Sequence, residues 1–396
     1  MSRPVILALN AGSSSLKFEL FAADSDETLG HGIVECIGRD DACVRLHDGK
    51  GGNLPVPDGQ PADHAAALQL TLDSLRAAFP DIRVVAVGHR VVHGGVHFDG
   101  PVIVDDEVMA RIEALDPFAP LHQPHNIAGI RAAGAAFPGV PQIACFDTAF
   151  HRTQPLVNDT FALPSRFYDE GVRRYGFHGL SYDYITSELK RIAPLIAAGR
   201  VVIAHLGNGA SMCAVQSGRS VASTMGFTAL DGLPMGTRCG QLDPGVVLYL
   251  MEQRGMTTDQ VRRLLYEDSG LLGLSGGLSN DMRTLERAGT PEAQRAIDYF
   301  VFRIQRELGA MAAAMGGIDA LVFCGGIGEN SRLVRARVCE RTEWMGLEVD
   351  HGRNARNETI ISSEMSRAHV MVVPTQEELV IARAARRLLN LPGQGG

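Results

Sequence analysis

Apolar runs that end in short polar turns recur along the chain. Residues 5–9 are apolar, residues 10–15 read Asn-Ala-Gly-Ser-Ser-Ser, and apolar alternation resumes at Leu16. This pattern predicts a strand, a tight turn and a second strand. Such a turn can offer backbone N–H groups, the Asn10 amide and the hydroxyls of Ser13, Ser14 and Ser15 to a phosphate or its metal ion. An ordinary β-hairpin turn explains the same residues.

A second copy of this pattern opens the other half of the chain. An apolar run from residue 201 leads to Asn208, which stands between Gly207 and Gly209, and alternation resumes over residues 212–215. Two similar strand-turn-strand units, one in each half, suggest a duplicated α/β unit. The two halves would then face each other across a nucleotide cleft.

Helical periodicity and capping residues locate most of the helices. The predicted helices cover residues 63–79, 105–115, 181–192, 243–254, 258–267 and 291–315, and a last helix begins near Thr375. Ser181 is the expected cap of one helix, and Thr375 with Glu378 fits a capping box for the last one. Glu377, one position away, is then free to reach a metal ion.

Two predicted buried strands end at residues suited to ligand contact. The strand at 140–146 delivers Asp147 at its carboxyl end, the edge at which open α/β sheets bind ligands, although an N-cap role fits Asp147 equally well. The strand at 318–324 runs into Gly-Gly-Ile-Gly-Glu-Asn at 325–330. Glycines between a strand and a helix start suit a nucleotide contact, but short glycine clusters are also common in loops.

Arg90 and His122 lie in segments that the sequence constrains. His89, His93 and His97 recur every fourth residue, but the valines and glycines among them disfavour a helical metal site. A strand instead places Arg90 beside an apolar wall, and a surface salt bridge is an equal alternative. Prolines on both sides of His122 predict an extended backbone that holds the imidazole in place, with a capping or core role as the alternative.

Residues 225–245 contain so many glycines and prolines that they predict a long loop. Ordered loops of this length are usually functional. Arg238 lies in its middle, where its planar guanidinium suits a phosphoryl group in transfer. A structural tie is the alternative role.

Composition limits the classes of function. The 396 residues allow two or three domains, and the formal net charge of −8 argues against general nucleic-acid or membrane-surface binding. No segment resembles a signal peptide or a transmembrane helix, so we expect a cytoplasmic protein. The seven cysteines are odd in number and include no CxxC pair, so neither disulfides nor a zinc site is indicated, and several lie in apolar runs typical of small core residues.

Nine motifs in collinear order resemble the acetate kinase family, within the acetate and sugar kinase, Hsp70 and actin superfamily. They are LNAGSSSLKF, GHRVVHGG, LHQPHN, CFDTAFH, YGFHG, HLGNGAS, GLPMGTRCGQLDPG, CGGIGEN and the terminal EEL. The resemblance implies two α/β domains, each with a duplicated ribonuclease-H-like core, and a cleft between them. It implies an N-terminal domain of residues 1–146 plus 379–396, on the acetate and metal side, and a nucleotide-side domain of residues 147–378. It also suggests a homodimer.

The chemistry that this resemblance implies is reversible phosphoryl transfer from ATP to acetate, giving acetyl phosphate and ADP. The cofactor would be Mg²⁺, with Mn²⁺ as a substitute, and the metal residues would be Asn10 and Glu377. The implied catalytic residues are Arg90, His122, Asp147, His178 and Arg238. The implied nucleotide-binding residues are Lys17, His205, Leu206, Gly207, Asn208, Gly209, Asp281, Met282, Arg283, Gly325, Gly326, Ile327, Gly328 and Asn330. We expect direct in-line transfer, since phosphoryl transfer needs mainly alignment and charge neutralisation.

The main departure from the family pattern affects the width of the substrate pocket. The resemblance places the acetate pocket among Arg90, Val92, Leu121, Phe177 and Ala229, and Ala229 replaces a pocket-lining proline. A propionate kinase is therefore one rival. A second rival, from another class, is a nucleotide-dependent interaction protein of the actin or Hsp70 kind, which would hydrolyse ATP slowly and independently of carboxylates.

Overall fold

The computed structural model describes residues 2–12, 15–39, 41–56 and 59–392, so Ser13 and Ser14 of the first predicted turn lie outside the described residues. The chain divides into two compact units. The first comprises Met1–Phe150 with Gln376–Gly396, and the second comprises His151–Thr375. These divisions lie three or four residues from the expected domain limits and leave Asp147 and Glu377 in the first unit.

The first unit contains a mixed seven-stranded sheet with the order β4-β3-β2-β1-β5-β7-β6. Its strands are β1 (Arg3–Ala11), β2 (Ser15–Ala22), β3 (Thr28–Glu35), β4 (Cys43–Asp48), β5 (Ile82–Val91), β6 (Val102–Ile103) and β7 (Gln142–Phe146). Its first helices are α1 (His64–Ala78), α2 (Asp106–Glu113) and α3 (Gln123–Ala136). Strands β1 and β2 form the predicted hairpin, with Asn10 paired opposite Lys17.

The second unit contains a five-stranded sheet with the order β10-β9-β8-β11-β12. Its strands are β8 (Arg200–Leu206), β9 (Ala210–Gln216), β10 (Arg219–Ser223), β11 (Ala320–Cys324) and β12 (His369–Val372). Its helices are α4 (Leu156–Asp159), α5 (Ser165–Asp169), α6 (Gly179–Ile192), α7 (Pro194–Ala197), α8 (Pro244–Glu252), α9 (Thr258–Glu267), α10 (Gly270–Leu274), α11 (Met282–Ala288), α12 (Pro291–Met315), α13 (Gly325–Asn330), α14 (Arg332–Cys339) and α15 (His351–Ala355). The last helix, α16 (Glu377–Leu388), belongs to the first unit.

The two sheets share one topology, which confirms the predicted duplication. The shared part is β3-β2-β1-β5-β7 in the first sheet and β10-β9-β8-β11-β12 in the second. In each, three strands form an antiparallel meander and the other two run parallel to its first strand, while β4 and β6 add antiparallel edges to the first sheet only. The second unit repeats this arrangement with β8 as its first strand. Because parallel strands end at the same edge, each unit places the ends of its parallel strands beside the turn of its first hairpin.

Helices cover the first sheet because its central strand β1 is apolar and buried throughout residues 5–9. Val5, Leu7 and Leu9 of β1 pack in one core cluster with side chains of α1, including Leu68 and Leu72. Helix α16 packs on β1, β2, β5 and β7. A Cβ at Gly88 of β5 would lie 2.2 Å from Cγ2 of Ile381, so the close approach of α16 requires glycine there.

Most predicted helices form near their expected limits, but three local predictions are wrong. Helix α6 begins at Gly179, with the left-handed His178 as its N-cap residue, so Ser181 lies inside the helix. The segment around His122 is not extended, because α3 begins at Gln123 and His122 is its N-cap residue. Helix α16 begins at Glu377 with Gln376 as N-cap residue, and no side chain caps it, so Thr375 and Glu378 form no capping box.

Among the described residues, no helix combines the length and the apolarity needed to cross a membrane. The predicted loop at 225–245 is irregular as far as Asp243, where α8 begins with that residue as its cap.

Candidate active site

In the first unit, the ends of two neighbouring parallel strands bring Arg90 and Asp147 together. Arg90 lies on β5, and Asp147 follows β7 directly. The Arg90 Nε donates to Asp147 Oδ2 at 3.1 Å and its Nη2 donates to the same oxygen at 2.5 Å. The Asp147 side chain is only 1% exposed. This buried ion pair fixes the plane of the Arg90 guanidinium at the carboxyl edge of the sheet.

Asn10 and Glu377 complete this cluster from two other elements. The Arg90 Nη1 donates to Asn10 Oδ1 at 3.2 Å, and Glu377 Oε2, at the start of α16, lies 3.9 Å from Arg90 Nε. Lys17 lies opposite Asn10 on β2, and its charge also acts on Glu377. The first unit therefore assembles both expected metal residues around Arg90, and it places Lys17 there too.

Burial and neighbouring charges in this cluster shift the pKa values of Glu377 and Arg90. Burial raises the pKa of Glu377 to about 7, even though Arg90 favours the ionised form, and the carboxylates of Asp147 and Glu378 add to the shift. Burial alone would lower the pKa of Arg90, but Asp147 and Glu377 raise it above its usual value. Arg90 therefore stays charged while Glu377 changes its proton occupancy near neutral pH.

In the second unit, the turn between β8 and β9 lies against the side chains of His178 and Arg238. A Cβ at Gly209 would lie 3.1 Å from His178 Nε2 and 3.3 Å from Arg238 Nη2. Arg238 is held from its own loop, because its Nη1 donates to the carbonyl of Ala229 at 2.8 Å. The loop also packs on Asn208, whose backbone carbonyl accepts the N–H of Gly236 at 3.0 Å. Glycine at 209 thus allows the turn to approach both side chains.

His178 is oriented by a network of hydroxyl groups. Its backbone is left-handed, with φ 58° and ψ 26°, which is uncommon outside glycine. Its Nδ1 lies 2.8 Å from Ser211 Oγ, and its ring stacks on that of His205 with centroids 4.3 Å apart. His205 Nδ1 lies 2.8 Å from Ser181 Oγ. The contact with Ser211 leaves Nε2 of His178 facing Gly209.

Beside this turn is a cavity of about 610 Å³. Eight of the residues expected to bind nucleotide line it, namely Gly207, Asn208, Asp281, Met282, Arg283, Gly326, Ile327 and Asn330. Its volume falls in the usual range for small-molecule sites. His205, Leu206, Gly209, Gly325 and Gly328 do not line the cavity. Gly325 has φ +74° and a Cβ there would lie 2.8 Å from the Leu206 carbonyl oxygen, so it shapes the backbone behind the wall.

Three further cavity residues were missed by sequence reasoning. They are Asn280, Glu286 and Ser331. Ser331 caps α14 and donates to Glu286 Oε1, so the two form one polar wall. Asn280 and Ser331 are each next in sequence to an expected contact residue, and this proximity could have identified them. Glu286 reaches the cavity because of where α11 lies, which the sequence does not reveal.

The expected acetate-pocket residues are divided between the units. Val92 is buried in the first unit with its N–H donating to Asn126 Oδ1 at 2.9 Å, and Leu121 of the same unit is 37% exposed. Phe177 is buried in the second unit directly before His178. Ala229 contributes the carbonyl that holds Arg238. His122 belongs to the first unit, at the start of α3.

Comparison with known proteins assigns the family. Residues 5–383 match the model of the acetokinase family. The chain is 61% identical to the acetate kinase of Methylocella silvestris, over 98% of this chain and 99% of that protein. The crystal structure of Porphyromonas gingivalis acetate kinase superposes with a TM-score of 0.88 at 38% identity, covering 98% of this chain and all of that one. A propionate kinase from Francisella tularensis gives a TM-score of 0.90 at 35% identity, with the same coverage. The chain belongs to the acetokinase family.

Proposed function

We propose that this chain is an acetate kinase that transfers the γ-phosphoryl group of ATP reversibly to acetate, by direct in-line displacement and with Mg²⁺. Family membership and relatives named acetate kinase support a phosphotransferase with a carboxylate acceptor. The observation that carries the proposal is the position of His178 Nε2 and Arg238 Nη2 at Gly209, next to the cavity.

The second unit supplies the nucleotide side of this reaction. The cavity holds the nucleoside, with Asp281, Arg283 and Asn330 as polar contacts. The turn at Asn208 and Gly209 supports the phosphates with backbone N–H groups. Arg238, and His178 in its protonated form, neutralise charge that spreads over the phosphoryl oxygens during transfer. Because the Ala229 carbonyl holds Nη1, Arg238 keeps Nη2 directed at the turn.

The first unit supplies the acceptor side. Arg90 binds the carboxylate of acetate, and Asp147 positions Arg90 through the buried ion pair. Val92 offers an apolar wall to the methyl group. No proton has to be removed from the acceptor, since acetate is already ionised at neutral pH, so this chemistry needs alignment rather than a strong base.

The donor set in the first unit fits Mg²⁺. Glu377 offers a carboxylate and Asn10 an amide oxygen, and Mg²⁺ typically takes one or two such oxygens together with substrate phosphates and water. Within the described ranges, no group of three His, Cys, Asp or Glu side chains is placed to hold a metal ion by itself. We therefore propose Glu377 and Asn10 as the residues that hold the ion or its waters. When bound, Mg²⁺ neutralises the developing phosphate charge.

A hydroxamate assay with ATP, Mg²⁺ and acetate, propionate or butyrate tests the proposal. We expect acyl phosphate formation that Arg90→Ala reduces by two orders of magnitude or more, because the carboxylate loses its cation. Arg83→Ala is the matched control, since Arg83 is an exposed residue of the same strand. Slow ATP hydrolysis at a rate that no carboxylate changes would instead indicate a nucleotide-dependent interaction protein.

The stereochemistry at phosphorus tests direct transfer separately. Net inversion at a chiral phosphoryl group is expected, and net retention would contradict direct transfer.

We also propose that the protein acts as a cytoplasmic homodimer and that α8 contributes to the dimer interface. Helix α8 buries none of its residues within the chain, and Val246, Leu248 and Tyr249 are 39%, 56% and 50% exposed. An uncharged apolar surface of this kind fits a second copy of the same helix. In sedimentation equilibrium, Leu248→Asp should weaken the dimer, whereas Leu195→Asp, at a residue 90% exposed on α7, should not. A monomeric parent protein would contradict this proposal, and recovery in a membrane or secreted fraction would contradict the location.

A further inference from the structure

Glu329 connects two backbone segments that the proposed reaction uses. It lies on α13, and its Oε1 accepts the N–H of Gly325 at 2.9 Å and the N–H of Thr375 at 3.1 Å. Gly325 is the first residue of α13, and the next two residues, Gly326 and Ile327, line the proposed nucleotide cavity. Thr375 precedes the metal residue Glu377 by two positions. A single carboxylate oxygen therefore holds the start of the nucleotide-binding turn and the segment that leads to Glu377.

Other hydrogen bonds restrain both segments at atoms other than the two N–H groups that Glu329 accepts. Arg335, a buried residue of α14, donates through Nη1 to the carbonyls of Gly328 and Glu329 at 2.9 and 2.8 Å. The Oγ1 of Thr375 accepts from Ser181 Oγ at 2.9 Å. These bonds hold the far end of α13 and the side chain of Thr375. The backbone N–H groups of Gly325 and Thr375 share Glu329 Oε1 as their side-chain acceptor.

Resting on the proposed function, we propose that Glu329 is a positioning residue that makes nucleotide binding and the placement of Glu377 depend on each other. Its carboxylate keeps the α13 turn in the conformation that Gly326 and Ile327 present to the nucleoside. The same oxygen fixes the backbone at Thr375, two residues before Glu377. Glu329 does not contact substrate in this role.

The main test compares Glu329→Ala, Glu329→Asp and Glu329→Gln. The Ala variant removes the acceptor and the Asp variant shortens the side chain by one methylene, whereas Gln keeps an acceptor oxygen at the same reach. We expect about tenfold weaker ADP binding by calorimetry for Ala and Asp and a change below about twofold for Gln. The Mg²⁺ concentration for half-maximal activity should rise in the same two variants.

Amide hydrogen exchange supplies a readout that does not depend on turnover. We expect exchange to increase in peptides covering both 325–331 and 373–377 in the Ala and Asp variants, and to stay at the wild-type level in the Gln variant. Asp319→Ala is the matched control, because Asp319 also accepts a backbone N–H in this unit, that of Arg200 at 2.7 Å, but does not line the nucleotide cavity. It should leave ADP affinity unchanged.

The outcomes separate this proposal from the proposed function. Wild-type ADP affinity in the Ala and Asp variants, exchange that rises in only one of the two segments, or a Gln variant as impaired as Ala would each overturn the positioning role. If Glu329→Ala fails to fold, the Asp and Gln pair still decides. An inactive wild-type enzyme would contradict acetate kinase activity while leaving the ADP and exchange measurements to test Glu329.

Discussion

The turn between β1 and β2 and the turn between β8 and β9 have similar sequences and different surroundings. Asn10 of the first accepts a hydrogen bond from Arg90, next to the carboxylates of Asp147 and Glu377. The second turn, at Gly209, approaches His178 and Arg238 and adjoins the nucleotide cavity. Both are antiparallel hairpins, although their registers differ, with Ala11 opposite Leu16 in the first and Leu206 opposite Ala210 in the second. The larger difference is that other elements deliver carboxylates to one turn and an imidazole and a guanidinium to the other.

We propose that this difference gives the two copies of the duplicated unit different roles. Carboxylate and amide oxygens suit a hard cation, whereas a guanidinium and an imidazole suit phosphate oxygens. Neither property belongs to the hairpin itself, since each hairpin supplies an asparagine and at least one glycine. The role of each hairpin is therefore set by the residues that neighbouring strands, helices and loops place beside it.

Arg238→Ala should have the largest effect on turnover, because it removes the guanidinium that lies beside the second turn. Arginine groups that stabilise a transferring phosphoryl group contribute about 10³- to 10⁵-fold in turnover, so we expect kcat to fall by about that factor. The KM for ATP should change much less, since the charge matters most in the transition state. Steady-state kinetics on the purified variant measure both.

Arg174→Ala is the control for this experiment. Arg174 pairs with Asp231 of the same loop at 3.1 Å, so its loss perturbs the loop without removing the guanidinium at Gly209. An Arg238→Ala enzyme with more than about a tenth of the parent turnover would mean that Arg238 only holds the loop.

Glu377→Gln removes a carboxylate that α16 places beside the first hairpin, and its effect should rank second. A lost metal contact costs several kcal/mol of transition-state stabilisation, so Mg²⁺-dependent kcat should fall about a hundredfold. In the parent protein, burial raises the pKa of Glu377 to about 7, so protons compete with the cation for this carboxylate as the pH falls. The Mg²⁺ concentration for half-maximal activity should therefore rise as pH falls from 8 to 6.

The control for this prediction is the pH dependence itself. In Glu377→Gln the side chain no longer titrates, so the steep rise in the Mg²⁺ requirement below pH 7 should disappear. Glu378→Gln changes the neighbouring carboxylate and should keep most of the activity. If Glu378→Gln were the impaired variant and Glu377→Gln were not, the metal residue would be Glu378.

The comparison also shows how far sequence reasoning reaches. Helix α12 was predicted with its observed limits because its signals are local: Thr290 caps it and Pro291 occupies its first turn. The capping box at Thr375 failed because its hydroxyl accepts from Ser181, 194 residues away, and its N–H donates to Glu329. Ser181 failed as a cap because the left-handed His178 starts α6 instead. Local signals predicted the hairpins and helices, whereas these hydrogen bonds depend on tertiary contacts.

A methyl group added to each turn tests the comparison sterically. At Gly209 a Cβ would lie 3.1 Å from His178 Nε2 and 3.3 Å from Arg238 Nη2, so Gly209→Ala must displace one or both of these side chains. Misplacement by a few tenths of an ångström should cost about tenfold in kcat, since a shift of 1 Å can cost about a hundredfold. At Gly12 the nearest atom is Ser15 Oγ at 2.9 Å, which can rotate away. Gly12→Ala should therefore change kcat by less than about threefold.

Thermal unfolding of both glycine variants distinguishes active-site displacement from general destabilisation. We expect similar midpoints for the two, because each adds one methyl group to a hairpin turn. Equal loss of activity in both variants would contradict the distinction between the turns.

The smallest expected effect concerns substrate width at Ala229. The family resemblance implies a proline in place of Ala229, so alanine would remove volume from one wall of the proposed pocket, and one added methylene should meet less resistance. Burying a methylene is favourable by about 0.8 kcal/mol if it fits without strain. Hydrophobic pockets distinguish one methylene by only about 1 to 3 kcal/mol, so we expect a preference for acetate over propionate below about tenfold in kcat/KM. Ala229→Pro should increase that preference and, because proline keeps the carbonyl that holds Arg238, should leave kcat for acetate within about twofold. A parent preference above about 100-fold, or an unchanged ratio in Ala229→Pro, would show that position 229 does not set the width of the pocket.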